Sequence, residues 1–257
     1  MKRNEVGRVA GSFVAATLVS WSACAPACPS DPLRAKGGAW SATSVIQASL
    51  TIVEGGMSSS ACRLQVAFNG APSIIAKAFV SDTSPRVESR YRARFYVDTT
   101  ELGDITRGSS TLRIFSVAGS TYPKGGKSDI VDISLLGTPR GTSLSFDVAD
   151  VNAAGLYRNV AVPLPNRHGK NRIEFDLSMG KNNPTAFRYW INGAAEISTD
   201  VSPTGVLAVS DNTPWTGVIQ ANLGAIAASA DYLTSAVPSQ HLYFDEFNSR
   251  RRSFIGQ

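Results

Sequence analysis

Arg172-Ile173-Glu174-Phe175-Asp176-Leu177-Ser178-Met179 decides the fold. Ile173, Phe175, Leu177 and Met179 alternate with Arg172, Glu174, Asp176 and Ser178. A period of two belongs to a strand, whose successive side chains point to opposite faces; a helix repeats its apolar positions every ~3.6 residues. One face of this segment is therefore dry and the other wet. The same alternation runs through 90–97, with Tyr91, Ala93, Phe95 and Val97 on one side and Arg90, Arg92, Arg94 and Tyr96 on the other. In 187–191, Phe187, Tyr189 and Ile191 oppose Arg188 and Trp190, and Asn192-Gly193 follows. Both turn residues tolerate positive φ, so the pattern predicts a tight hairpin there.

Outward from these segments, strands are expected near 44–53, 61–68, 74–80, 111–118, 129–136, 142–148, 156–162, 205–210, 216–226 and 240–248. Glu54-Gly55-Gly56, Asn69-Gly70, Gly125-Gly126, Gly137-Thr138-Pro139, 163–165 and Asn182-Asn183-Pro184 punctuate them as turns. Only 222–234 reads as a short helical turn. Many short strands at this spacing make a sandwich or a barrel. Beyond Trp40 there is no second linker, repeat or composition break, so 40–257 is one domain, preceded by a linker over 28–39.

The first 27 residues read as an export leader. Lys2, Arg3 and Arg8 are basic, 9–19 is apolar and small, and Ala25 and Ala27 suit cleavage after Ala27. A second route is open: Ser22-Ala23-Cys24 resembles the end of a lipoprotein signal, which would put a lipid anchor on Cys24, although Trp21 stands where such signals prefer a Leu-like residue. Either route places the chain outside the cell or in its envelope. Removal or acylation of Cys24 leaves Cys28 and Cys62 as a pair able to form a disulfide in an oxidising compartment. The formal net charge is +5, of which 1–27 supply +2 (Lys2, Arg3 and Arg8 against Glu5), leaving about +3 for the rest. That balance is too mild for nucleic acid, which calls for a dense basic stripe.

Several stretches go beyond pattern. These are Arg172-Ile-Glu-Phe-Asp-Leu, Phe187-Arg-Tyr-Trp-Ile-Asn-Gly, Ile219-Gln-Ala-Asn-Leu-Gly-Ala and the closing Leu242-Tyr-Phe-Asp-Glu-Phe-Asn-Ser-Arg-Arg. In that order, with Tyr91-Arg-Ala-Arg-Phe-Tyr-Val as a first long strand, they resemble the concanavalin A-like lectin/glucanase superfamily in its laminin-G-like form. The resemblance covers roughly 40–257 and implies an all-β fold, a two-sheet antiparallel jelly-roll sandwich. Its relatives include glycan-binding modules, adhesion modules, glucan hydrolases and polysaccharide lyases. The matching motifs describe scaffold rather than chemistry.

Glu174 and Asp176 occupy the first two places of a glucanase-like carboxylate set, but the third place holds Ser178 or Met179, so the acid/base is missing. The competing reading pairs the two carboxylates with Arg92 or Arg94. A lyase needs a Tyr or His base and a group to neutralise the substrate carboxylate; the two histidines, His168 and His241, sit in no lyase motif. No catalytic residues, cofactor or metal are therefore assigned. Asp245, sharing a strand face with Tyr243 and Phe247, is the one calcium candidate, with backbone N–H groups or an Arg as the other reading. Glycan binding needs an aromatic platform with polar neighbours. Trp190 with Arg188, and Arg92, Arg94 and Tyr96, supply one if their strands share a sheet; Trp215 is a second platform. The expected function is an exported, non-catalytic module binding polysaccharide or an envelope component. A diverged glycan-degrading enzyme and a structural envelope lipoprotein are the alternatives.

Overall fold

A computed structural model describes residues 28–29, 31–34, 40–58, 60–68, 76–102, 111–139, 141–193, 204–228, 240–250 and 255. The leader and most of the linker lie outside them. Among the described residues there are fourteen strands, in chain order: β1 Ala42–Ile46, β2 Ala48–Glu54, β3 Cys62–Phe68, β4 Lys77–Asp82, β5 Arg90–Asp98, β6 Thr111–Gly119, β7 Asp129–Thr138, β8 Gly141–Ala149, β9 Tyr157–Pro163, β10 Lys170–Ser178, β11 Lys181–Ile191, β12 Thr204–Asp211, β13 Val218–Ala228 and β14 His241–Arg250. They make two seven-stranded sheets. Sheet I has the order β1-β4-β13-β6-β7-β8-β9 and sheet II the order β12-β11-β10-β5-β14-β3-β2. Every pairing is antiparallel. The fold is a jelly-roll sandwich.

The alternating apolar residues do what their period requires. Phe95, Phe175, Phe187 and Phe244 of sheet II and Phe115 and Phe146 of sheet I are fully buried. Rings from opposite sheets meet directly: Phe95 stacks on Phe115 at 5.1 Å, Phe115 meets Phe175 edge-on at 5.4 Å, and Phe146 stacks on Tyr189 at 4.7 Å. Such pairs add about 0.5–1.5 kcal/mol each beyond the area they bury. At Gly205 on β12, an added Cβ would lie 2.3 Å from the Tyr189 ring, so glycine there lets the ring sit on the backbone.

The departures from the sequence reading are breaks in phase. The expected strand over 44–53 is two strands, because Gln47 adopts a left-handed conformation (φ 54°) and hands the chain from sheet I to sheet II. Asn182-Asn183-Pro184 is not a turn. It lies within β11, and the irregularity survives as a bulge between Asn183 and Phe187, where Pro184 needs no ladder donor. Asn192-Gly193 does not close a two-residue hairpin: Trp190 pairs with Thr204, so the connection is long. Asn192 instead takes φ 58° and caps the neighbouring strand, its Oδ1 accepting the Arg172 N–H at 2.8 Å. The described part of 222–234, up to Ala228, is strand rather than helix. In β14, Glu246 adopts φ 46° at a bulge between Asp245 and Asn248. The bulge turns Phe247 toward the core, 4.5 Å from Trp40 and 6.1 Å from Phe115, so it does not share a face with Tyr243 and Asp245.

Cys28 and Cys62 form a disulfide that ties the N-terminal arm to the start of β3.

Candidate functional site

The pairing of β11, β10, β5 and β14 places the polar side chains of four strands on the outer face of sheet II. Asp176 lies between Arg188 and Arg92, and Glu174 between Trp190 and Arg94, with Asn248 beyond. The residues read from sequence as a surface, Trp190, Arg188, Arg92, Arg94 and Tyr96, are therefore brought together.

They are not an open platform. Trp190 is 2 % exposed and Arg92 1 %, while Arg188 and Tyr96 keep intermediate exposure. Arg90 grips Asp176 through two hydrogen bonds of 2.9 and 2.7 Å. Arg92 lies 3.1 Å from Asp176 and 3.8 Å from Glu174, and Arg94 lies 3.8 Å from Glu246. The backbone N–H of Ile255, itself buried, donates to Glu174 Oε1 at 2.8 Å. Glu174 and Asp176 are thus counter-ions rather than a glucanase pair. Desolvated charges need such partners, since each unpaired one costs several kcal/mol. Guanidinium groups also lie over rings: Arg63 is 3.5 Å from the Tyr243 centroid, Arg92 and Arg188 are each 5.1 Å from Trp190, and Arg94 is 6.0 Å from Tyr96.

Sequence reasoning missed a second cluster on this face. Glu101, in the turn after β5, accepts from His241 Nδ1 at 2.6 Å and from the Tyr243 hydroxyl at 2.7 Å. Arg63, over the Tyr243 ring, pairs with Asp98 at 3.1 Å. Burial and then the hydrogen bond to Glu101 push the Tyr243 phenol up to about 12, so it is a donor at neutral pH. The hydrogen bonds from His241 and then Tyr243 hold Glu101 below the usual carboxylate range. Because a carboxylate only accepts, Nδ1 is the donor in this contact, which leaves Nε2 as the ring nitrogen not committed to Glu101. The signal in the sequence was the i, i+2 spacing of His241 and Tyr243, which puts both on one strand face; Glu101 carried no mark.

The other candidates resolve simply. Asp245 accepts from the Met57 N–H at 2.6 Å, the Glu246 N–H at 2.7 Å and the Ser60 hydroxyl. Donor hydrogens aimed at both oxygens are the reverse of a cation site. Trp215 is fully buried, its indole N–H donating to the Lys127 carbonyl at 3.0 Å, so it is no platform. His168 lies exposed in the loop before β10.

The outer face of sheet I carries an uncharged-to-acidic row instead. Ser81, Asn222, Ser116, Asp132, Asp147 and Asn159 are consecutive cross-strand partners. They satisfy one another: Ser81 donates to Asn222 at 2.7 Å, Asn222 to Ser116 at 3.0 Å and Asn159 to Asp147 at 2.7 Å. Arg113 and Lys127 neutralise Asp132.

No family model matches the sequence, and no curated protein matches it significantly. Solved structures do match. An endo-β-1,4-glucuronan lyase from the fungus Trichoderma reesei superposes with a TM-score of 0.60 at 11 % identity, over 83 % of this chain and 91 % of that one. The alginate lyase Aly36B gives 0.52 at 13 % identity, over 77 % and 86 %. A mutant of that lyase in complex with alginate tetrasaccharide gives 0.51 at 13 % identity, over 74 % and 81 %. The likeness is one of fold. It spans most of the chain and carries no residue role with it.

Proposed function

We propose that the protein is an exported module that binds an acidic polysaccharide on the outer face of sheet II. The observation that carries this reading is the concentration of arginine–aromatic pairs on that one face: Arg63 with Tyr243, Arg92 and Arg188 with Trp190, and Arg94 with Tyr96. Rings offer sugar-stacking surfaces, and the planar fork of arginine matches a carboxylate. Arg188 and Tyr96 are the accessible members and make first contact; Trp190 and Arg92 stiffen the layer beneath. A fold shared with lyases of glucuronan and alginate supports a polyuronate as the ligand, and the order of strands supports membership of the concanavalin A-like superfamily. The Cys28–Cys62 disulfide supports an oxidising compartment, hence secretion or the cell envelope. Whether Cys24 bears lipid is read by mass spectrometry of the mature N-terminus. On a glycan array the protein is expected to retain acidic polymers over neutral ones, with Arg188→Ala and Tyr96→Ala each weakening retention about tenfold, as for one charge-assisted or stacking contact. Retention of no acidic glycan would sink the reading.

A second reading is favoured by His241. If the same face cleaves its polymer by β-elimination, His241 Nε2 takes the proton from C5 of a uronate. The C4–O4 bond breaks, its electrons leave with oxygen, a C4–C5 double bond forms, and the Tyr243 hydroxyl protonates the departing oxygen. Incubation with a polyuronate would then generate the ultraviolet absorbance of the unsaturated sugar, and His241→Ala would abolish it. A flat trace with the wild-type protein leaves recognition without cleavage.

A further inference from the structure

Arg63, Arg92 and Arg94 each lie beside a carboxylate. Arg172, on the same face of sheet II, does not. The residue is 5 % exposed, between Arg92 at 1 % and Arg94 at 9 %, and Nη2 is sealed from water without a hydrogen-bond partner. Among the described residues none forms an ion pair with it. Only its backbone is engaged, by Asn192: its N–H donates to Asn192 Oδ1 at 2.8 Å and its carbonyl accepts the Asn192 N–H at 2.8 Å. A guanidinium stripped of most of its water with no counter-ion is unfavourable in the free protein, and a fold has no structural use for it. Such a group suits a partner that arrives from outside. Its surroundings fit that role. Tyr96 is its direct cross-strand neighbour on β5, and the exposed Lys170 precedes it by one pleat on the same strand face.

We propose that Arg172 is the anchoring site for an oxyanion borne by a sugar, a uronate carboxylate or a sulfate ester, with Tyr96 as the flanking surface. This rests on the reading of sheet II as a polysaccharide-binding face and names the contact that selects acidic over neutral polymers.

The test is isothermal titration and thermal melting of the full chain with a polyuronate, a sulfated galactan and a neutral glucan, for the wild type, Arg172→Met and Arg172→Lys. Arg172→Met is expected to melt at or above the wild-type temperature, because it removes an uncompensated buried charge. It should bind the acidic polymer roughly 10- to 100-fold more weakly, the loss of a charge-assisted contact. Arg172→Lys should fall between them, keeping the charge and losing the fork. Wild-type preference for polyuronate assigns a carboxylate; preference for the sulfated galactan assigns a sulfate ester. A wild type that binds acidic polymer while Arg172→Met binds it equally well overturns this proposal and leaves the surface reading standing. So does an Arg172→Met chain that melts well below the wild type, since that makes Arg172 structural. A wild type that binds none of the acidic polymers overturns both.

Discussion

At the scale of single residues, buried charges other than Arg172 sit where their partners are built in. Asp150 is the strictest case. It sits in the turn after β8, fully buried, and accepts the N–H groups of Ser210 at 3.0 Å, Asn152 at 3.1 Å and Asp211 at 3.2 Å together with Arg158 Nε at 2.8 Å. It thereby pins the end of β12 in sheet II to β8 and β9 in sheet I. Burial alone would push its carboxyl up; the Ser210 N–H, Arg158 and the other two N–H groups outweigh it and bring the value down to about 2 from 3.8. The folded-state value lies below the unfolded one, so the stabilisation is complete above the unfolded value and is lost as pH falls toward the folded one. That difference corresponds to about 2 kcal/mol. Urea midpoints are expected to drop for the wild type between about pH 5 and pH 2. The drop should be smaller for Asp150→Asn, which should be weaker by a similar amount at neutral pH. An identical acid profile for both chains would show that the charge of Asp150 does not matter. Nothing in Ala149-Asp150-Val151-Asn152 announces this role, because three of its four donors are backbone groups, and two of those belong to a strand sixty positions away.

At the scale of elements, alternation made the strands legible: β5 and β10 can be placed from Arg90 and Arg172 outward, whereas of β11 only the closing part from Phe187 shows in the pattern, because Asn182-Asn183-Pro184 reads as a turn. Changes of phase were not legible. Gln47 and Glu246 take left-handed φ without being Gly or Asn, and a period-2 reading carries on through such residues unaware that the next side chain has changed sides. Phe247 was misplaced for that reason. The cysteine pairing was open in sequence because geometry decides it. The disulfide joins cysteines 34 positions apart and clamps the arm before β1 to the first residue of β3, next to the edge strand β2. Loop-closure entropy for that span corresponds to about 3–4 kcal/mol. Cys62→Ser, or reduction of the wild type, should lower stability by up to this amount without changing the cooperative unfolding of the sandwich, as read by thermal melting with and without reductant. No change on reduction would mean that the arm is not held by the disulfide.

At the scale of the whole molecule, the candidate site was half legible. The outward set Trp190, Arg188, Arg92, Arg94 and Tyr96 does gather on one face, since strand period fixes sidedness. Its shelter was invisible, because contacts such as Ile255 with Glu174 join positions 81 apart. The same long-range wiring governs assembly. Sheet II has β14 between β5 and β3, so the strand made last in the described chain fills the middle of a sheet. Without β14, β5 and β3 become facing open edges, and the buried Leu242 and Phe244 are missing from the core. Two such losses are each worth about 2–5 kcal/mol, against a total stability of roughly 5–15 kcal/mol for an ordinary domain. Open hydrophobic edges also pair between molecules. A chain ending at Ala228 should therefore show no cooperative urea transition and should aggregate. The full chain should refold slowly, on the scale of milliseconds to seconds or beyond, because β14 cannot pay the entropy of closing its loop until β5 is in place. A truncated chain with a sharp, reversible transition would show that sheet II closes without its central strand, and the order of assembly argued from the topology would be wrong.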